Sequence, residues 1–266
     1  MFDDKLVQEV IRMILEAIYE GSFEYKSHGF RPYRSCHTAL TQISKPFNGV
    51  KWFIEGDIKG FFDNINHDMM IGILQERIVD ERFIRLIRKF LNAGYIEEWV
   101  FHKTYSGTPQ GGIISPILAN IYLDKLDKYM KEYILKFDKG DGRKANRQRT
   151  IYEREKTLAV LKLKAEKDET QRKLIVKQIK AIDRNRAMIP SCDEMDSEYK
   201  RLKYVRYADD FLIGVIGNLA ECKQIKEDIT NFLSEKLHLI LSEEKTLITH
   251  SEKAAKILSL VYQLFN

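Results

Sequence analysis

The sequence predicts an α+β fold, an antiparallel sheet backed by helices, and three observations carry that prediction. Strand-like runs alternate with helical segments and include hairpins, an order that favours an α+β sandwich over a doubly wound parallel sheet. YVRYADDFLIGVI flanks an acidic pair with β-branched and aromatic residues, the pattern of a β-hairpin with Ala208-Asp209-Asp210 at its tip. Ser115–Tyr133 reads as a long, mostly apolar helix with Leu118, Tyr122 and Leu126 on one side. A four-stranded antiparallel sheet backed by two helices fits this order.

The other elements follow along the chain. Residues 4–19 place Leu6, Val10, Ile14 and Ile18 at helical spacing, with Gly21 as a stop. The polar stretch SHGFRPYRSCHTAL leads into a second helix through Thr41–Ser44. Residues 50–54, VKWFI, read as a short strand followed directly by EGDIKGFFDNI. Asp68–Leu74 and Glu81–Leu91 are helical in pattern. Glu97–Phe101 and the residues up to Tyr105 suggest a hairpin presenting the loop SGTPQGG. Leu219–Leu237 is an amphipathic helix, and LHLILS followed by EEKTLITH reads as one strand turning into another. There is no internal repeat.

Composition narrows the function classes. A chain of 266 residues with 44% hydrophobic content can bury a real core. The net charge of +5 leans mildly toward anionic partners. No apolar run is long enough to span a bilayer, and MFDDKLVQEV has the character of neither a signal nor a transit peptide. Cys36, Cys192 and Cys222 are scattered without CxxC spacing, which points to free thiols in a reducing compartment. From Lys139 to Arg186 there are 16 Lys+Arg against 7 Asp+Glu, a local charge of +9 that leaves the remainder of the chain at −4. Neither Gly nor Pro occurs between Arg143 and Met188. With Leu158, Leu161, Ile175, Ile179 and Ile182 at helical spacing, the segment reads as one long helix or a helical hairpin. Its charge serves either RNA binding or simply a solvated face.

The chemistry sits in three features. Asp57 follows a strand and its short extension, where backbone is rigid and an acid can leave the sheet edge. Asp209 and Asp210 are adjacent carboxylates among apolar strands, a costly arrangement unless a cation neutralises them. Hard divalent ions such as Mg²⁺ take oxygen ligands of this kind. The glycines of SGTPQGG permit close backbone approach to a ligand, and no Walker-type or GxGxxG sequence exists elsewhere. Together these features suggest phosphoryl transfer at a two-metal centre, the ions about 3.5–4 Å apart. Lys5, Arg31, Arg34 and Lys245 are candidates to bind a triphosphate.

SHGFRPYRSCHTAL, DIKGFFDNINH, GTPQGGIISPILANIYLDKLD, YVRYADDFL and LSEEKTLITH resemble, in order and wording, the consecutive blocks of group II intron-encoded reverse transcriptases, the intron maturases. The resemblance runs from about Asp3 to His250 and is thinnest over 139–200. It implies the fingers and palm of a right-hand polymerase. Fingers fall at 1–51 and 71–106, and palm at 52–70, 107–137 and 201–266. A basic helical insertion occupies 138–200. Asp57 is similar to the first metal-binding acid, with the Ile58 carbonyl as a backbone ligand, and Tyr207-Ala208-Asp209-Asp210 to the YADD signature. Phe62 matches the aromatic that sits under the incoming sugar and clashes with a 2′-hydroxyl. Gln110 and Gly111 match residues that contact the incoming nucleotide and template. Lys245 matches a lysine able to protonate pyrophosphate; Arg31 and Lys5 match triphosphate contacts.

The implied activity is RNA-templated addition of dNTPs to a primer 3′-hydroxyl with Mg²⁺, for which Mn²⁺ can substitute. The other role implied is that of a splicing cofactor binding group II intron RNA. A third reading, RNA-templated RNA synthesis, is opposed by Phe62. The expected setting is the bacterial cytosol or an organelle, away from membranes, with homodimerisation open. Two departures stand out: no arginine–proline block precedes Phe2, and the FLG-type primer block survives only as Lys256-Ile257-Leu258-Ser259. With no thumb after Asn266, a fragment of a longer protein is expected, its isolated activity reduced.

Overall fold

Helix α1 (Phe2–Tyr19) opens the chain, with Asp3 and Asp4 in its first turn, where acids suit the positive end of a helix dipole. Its buried stripe is Ile11, Leu15 and Tyr19, whereas Leu6, Val10, Ile14 and Ile18, the residues whose spacing announced the helix, lie exposed. Periodicity found the helix, but two apolar stripes competed for the core. The computed structural model describes residues 2–92, 95–97, 100–102, 112–193, 196–252, 255–257 and 260–262.

Helix α2 (Cys36–Ser44) is started by a capping box between Ser35 and Thr38. Strand β1 (Trp52–Asp57) runs three residues past the predicted end, because pairing along its whole length carries it through Glu55-Gly56-Asp57. Gly60, at φ 53°, then turns the chain into the short helix α3 (Phe61–Asn64). Helices α4 (His67–Gln75) and α5 (Glu81–Asn92) follow, then a hairpin of β2 (Tyr95–Glu97) and β3 (Val100–His102). The loop SGTPQGG lies outside the described residues. Helix α6 (Ser115–Phe137) extends a full turn beyond its predicted end.

The strands β4 (Arg201–Tyr207) and β5 (Asp210–Ile216) form the expected hairpin, followed by α9 (Leu219–Leu237) after the intervening insertion. Of the two strands expected from LHLILS and EEKTLITH, only β6 (Ile248–His250) forms; the first makes an isolated bridge from Leu241 to Ile58. The order β4-β5-β1-β6 is antiparallel throughout, and β7 (Ala255–Ile257) and β8 (Leu260–Tyr262) make a separate pair. Ile54, Tyr204, Phe211 and Ile213 share a core with Tyr122 and Leu126 of α6 and Ile225 and Ile229 of α9. The alternation of a strand leaves Asp57 and Asp210 on the opposite face.

Asp138–Lys200 is a compact unit of its own. It is a helical hairpin of α7 (Arg147–Ala165) and α8 (Glu169–Ala187), broken at Glu166–Asp168, where the Asp168 side chain caps α8. The Lys156 ammonium reaches Asp183 across the two helices at 2.8 Å. A backbone bridge from Lys139 to Lys200 brings the ends of the unit together. Among the described residues no helix is long and apolar enough to cross a membrane, and all three cysteines are free thiols.

A buried polar network lies beneath the β4–β5 turn. Arg206 is 1% exposed; its Nε and Nη2 donate to the two Asp127 oxygens at 2.9 and 2.6 Å. Nη2 also donates to Ser27 Oγ at 2.7 Å, and Nη1 to Asn120 Oδ1 at 3.3 Å and the Ala208 carbonyl at 2.6 Å. The Tyr204 hydroxyl donates to Asp127, and Asn120 Nδ2 to the Gly29 carbonyl, both at 2.8 Å. Burial opposes the guanidinium charge, but the charge and hydrogen bonds of Asp127 outweigh it and hold the Arg206 pKa above its usual value. Backbone bonds stitch residues 26–28 to Arg206: its N–H donates to the Lys26 carbonyl and its carbonyl accepts from His28, each at 2.9 Å. A Cβ at Gly29 would lie 2.1 Å from the Ala208 nitrogen, so this approach requires glycine.

Two stability predictions follow from this packing. Asp127→Ala strands a buried guanidinium and should cost about 3–5 kcal/mol, whereas Asp127→Leu combined with Arg206→Met should recover most of that loss. Urea denaturation checks both; a double variant as unstable as the single would contradict the electrostatic account. His28 tests the same loop by pH. Its Nδ1 donates to Thr38 Oγ1 at 2.8 Å, since that hydroxyl gives its own proton to the Ser35 carbonyl. Nε2 is left as a buried acceptor without a partner among the described residues. Burial, then the charges of Arg34, Arg31 and Arg206, hold the imidazole down at about 4 against an ordinary 6.5. The folded state therefore resists protonation, so stability is intact above about pH 6.5 and lost as pH falls toward 4. His28→Gln should remove about 2 kcal/mol of the stability difference between pH 7 and pH 5; an unchanged difference would contradict it.

Candidate active site

Register builds the site. In β1 and β5 Asp57 stands directly opposite Asp210, and in β4 and β5 Tyr207 stands opposite Asp210. Opposite residues of an antiparallel pair project from the same face. Ala208 and Asp209 make the turn, and Ala208 takes a left-handed φ of 53°, a conformation that costs a non-glycine residue about 1 kcal/mol or more. The Arg206 bond to the Ala208 carbonyl and the packing of Gly29 hold it there.

The three carboxylates perturb one another. Burial raises the Asp209 pKa, with the Asp57 charge adding to it. Asp210 is pushed up to about 7 by burial, then by the charges of Asp209 and Asp57 and by a hydrogen bond with Asp57. Lys245 Nζ donates to Asp57 Oδ1 at 3.1 Å and is itself raised by that bond. The donor set, three carboxylates and backbone oxygens, suits a hard divalent ion. Among the described residues, no three His, Cys, Asp or Glu side chains are already arranged around an ion position; Lys245 takes one Asp57 oxygen and Asp210 shares a hydrogen bond with Asp57.

The remaining sequence-predicted residues fall in distinct settings. The Ile58 side chain is buried, and its backbone bridges Leu241. Phe61 is buried, while Phe62 beside it is only partly so, its ring edge-on to Phe61 at 5.3 Å. Lys5 is exposed on the first turns of α1, one turn before Gln8, whose Oε1 accepts from the Ile113 N–H at 3.0 Å. Gln110 and Gly111 lie outside the described residues. Arg31, expected at a triphosphate, is engaged by its own loop in this structure. Its Nε and Nη2 bond Glu20 at 2.8–3.2 Å, its Nη1 bonds the Glu24 and Ser27 carbonyls at 2.8 and 2.9 Å, and the last donor faces the Glu20 carbonyl at 3.5 Å. Every donor is engaged within the loop.

Arg206, Asp127, Asn120 and Gly29 were not singled out from the sequence. The one local signal was an arginine at a position of β4 whose neighbours on that face, Leu202 and Tyr204, are core residues. Its partner Asp127 is 79 positions away, beyond any periodicity.

Comparison with known proteins agrees with this arrangement. A family model described as "Reverse transcriptase (RNA-dependent DNA polymerase)" matches residues 1–152. Over 258 residues the chain is 50% identical to the group II intron-encoded protein LtrA of Lactococcus lactis subsp. cremoris, a match covering 97% of this chain and 42% of that protein. It is 45% identical over 247 residues to the putative COX1/OXI3 intron 1 protein of Saccharomyces cerevisiae, covering 92% of this chain and 28% of the relative. The chain thus spans less than half the length of these relatives. In fold it is similar to apo telomerase from Candida tropicalis truncated from its C-terminal domain, at TM-score 0.53 and 14% identity, over 97% of this chain and 43% of that one. The intron-type wording of the ordered blocks is borne out by these relatives, and the chain belongs to the reverse transcriptase (RNA-dependent DNA polymerase) family.

Proposed function

We propose that this chain is the fingers-and-palm core of an RNA-directed DNA polymerase of the group II intron type. Its substrates are an RNA template, a primer and dNTPs, and its setting is the cytosol of a bacterium or an organelle. The carrying observation is the register of Asp57 against Asp210, both on the sheet face opposite Ile54, Phe211 and Ile213, with Asp209 on the adjoining turn. In this reading Asp57, Asp209, Asp210 and the Ile58 carbonyl hold two Mg²⁺ ions, or Mn²⁺ in their place. Bound there, the ions activate the primer hydroxyl and stabilise the charge that builds on the leaving pyrophosphate.

The chain's own groups do the positioning. Rigid strands fix the Asp57–Asp210 separation, and the Arg206 network fixes the turn beneath Asp209. Phe62, partly exposed beside a buried Phe61, excludes a 2′-hydroxyl from the sugar position. Lys245, already beside Asp57, delivers a proton to the leaving oxygen. Gln110, Gly111 and Tyr207 line the nucleotide and template side. Lys5 and Arg31 serve the triphosphate, Arg31 from the loop that its bonds to Glu20, Glu24 and Ser27 hold in place. A maturase role in binding intron RNA is compatible with this one and is favoured by the basic hairpin of α7 and α8.

Primer extension on an RNA template tests the polymerase. Asp209→Asn should lower product formation by about two orders of magnitude or more, yet leave the urea midpoint equal or higher, since a repelling charge is gone. Equal extension by variant and parent would overturn the assignment. Phe62→Ala should relax discrimination against ribonucleotides by roughly 10- to 100-fold, and unaltered sugar selection would remove Phe62 from that role.

A further inference from the structure

The α7–α8 hairpin contains two kinds of cation. Arg149, Lys156 and Arg186 are half-buried and paired with Glu153 and Asp183. Lys173, Lys177, Lys180 and Arg184 are exposed, and among the described residues none of them donates to a carboxylate or a carbonyl. These four occupy positions i, i+4, i+7 and i+11 of α8, which at 3.6 residues per turn fall on one line. The row is about 16 Å long, with about 4.5–6 Å between successive residues along the axis. Ile175, Ile179 and Ile182 lie half a turn around, on the side packed against α7, so the row points away from the hairpin partner.

Like charges at these spacings repel, and the acid within the span, Asp183, is taken by Lys156 and Arg186. We propose that this row is a docking rail for the phosphate backbone of folded, double-helical RNA, bound without regard to base sequence. It rests on the reading of the chain as an RNA-dependent enzyme and adds a second contact surface, separate from the aspartates. Charge complementarity names the partner, and the surrounding residues narrow it. Helix α8 contains no aromatic residue, so the row carries none of the stacking platforms by which single strands are held. The exposed apolar residues of α8, Leu174 and Val176, fall on opposite sides of the row at 3.6 residues per turn and make no continuous stripe to enter a lipid surface.

The test measures affinity of the 266-residue chain for a base-paired RNA hairpin by fluorescence anisotropy across a salt series. Replacing Lys173, Lys177, Lys180 and Arg184 together by Gln should make the slope of log K against log salt shallower by about three to four, at about 0.9 per phosphate contact. A charge-conserving variant, Lys177→Gln with Gln178→Lys and Lys180→Gln with Ala181→Lys, keeps the net charge and breaks the row; it should bind with a slope shallower by about two. An unchanged slope in the Gln variant overturns the rail. Parent-like binding by the charge-conserving variant overturns it in favour of net charge alone. Asp209→Asn should lose extension and keep the full slope, which separates failure of the rail from failure of the polymerase reading. Repeating the series with an RNA–DNA template–primer duplex checks the partner: a slope change confined to that duplex overturns folded RNA as the occupant of the rail.

Discussion

The ion pair of Arg206 and Asp127 is the constraint on which the rest of the larger unit depends. A buried charge pair is weak evidence for stability, because desolvation consumes much of its Coulombic gain. What it supplies here is position. One guanidinium holds β4 to α6 through Asp127 and Asn120, to the segment before α2 through Ser27, and to the turn through the Ala208 carbonyl. Planar, fixed donor geometry lets a single side chain do this, and a lysine could not. The segments it joins are far apart in sequence, and each contains one of the block-like motifs.

How much of this was legible in the sequence depends on whether the information was local. The β4–β5 hairpin and α9 could be read because turn chemistry and period act within a few residues, whereas the capping box that starts α2 at Ser35 was not read. The end of β1 was misread because Glu55-Gly56-Asp57 looks like a loop. Only the partner strand β5 makes it strand, and that pairing sets Asp57 opposite Asp210. Helix α1 shows the same limit: Leu6, Val10, Ile14 and Ile18 are regularly spaced, yet Ile11, Leu15 and Tyr19 are buried. The three aspartates could be named as candidates from the sequence, whereas the Arg206 network that steadies their turn was invisible. The bonds of Arg31 to Glu20 and the neighbouring carbonyls were equally invisible, since in sequence it is only a loop arginine.

The basic insertion is accommodated by closing its own ends. The Lys139–Lys200 bridge sets its entry and exit side by side, so its length has little effect on the strand that follows; loop closure costs grow only slowly with length. The hairpin is held by few buried side chains, Ala159 and Ile182 among them, with Lys156–Asp183 across the helices. Most of its cations therefore stay on the surface. The acidic chemistry lies in one unit and the concentrated positive charge in the other.

Asp57 and Asp210 face each other because strand register requires it, and Asp209 follows on the turn, while the charges of all three oppose it. Asp57 and Asp210 are set opposite before any electrostatic term is considered, and apolar residues on both sides limit screening by water. Lys245 meets part of the demand for positive charge by bonding Asp57, and Asp210 meets another part by holding its proton up to about 7. Neither response neutralises all three acids. An unsupported turn would relax, letting Asp209 swing toward solvent, and the repulsion would vanish along with the site. The buried guanidinium beneath Ala208 and the close approach of Gly29 prevent that relaxation. Rigidity below the turn thus preserves repulsion above it, and that retained repulsion is the demand a divalent cation would meet in the proposed reading.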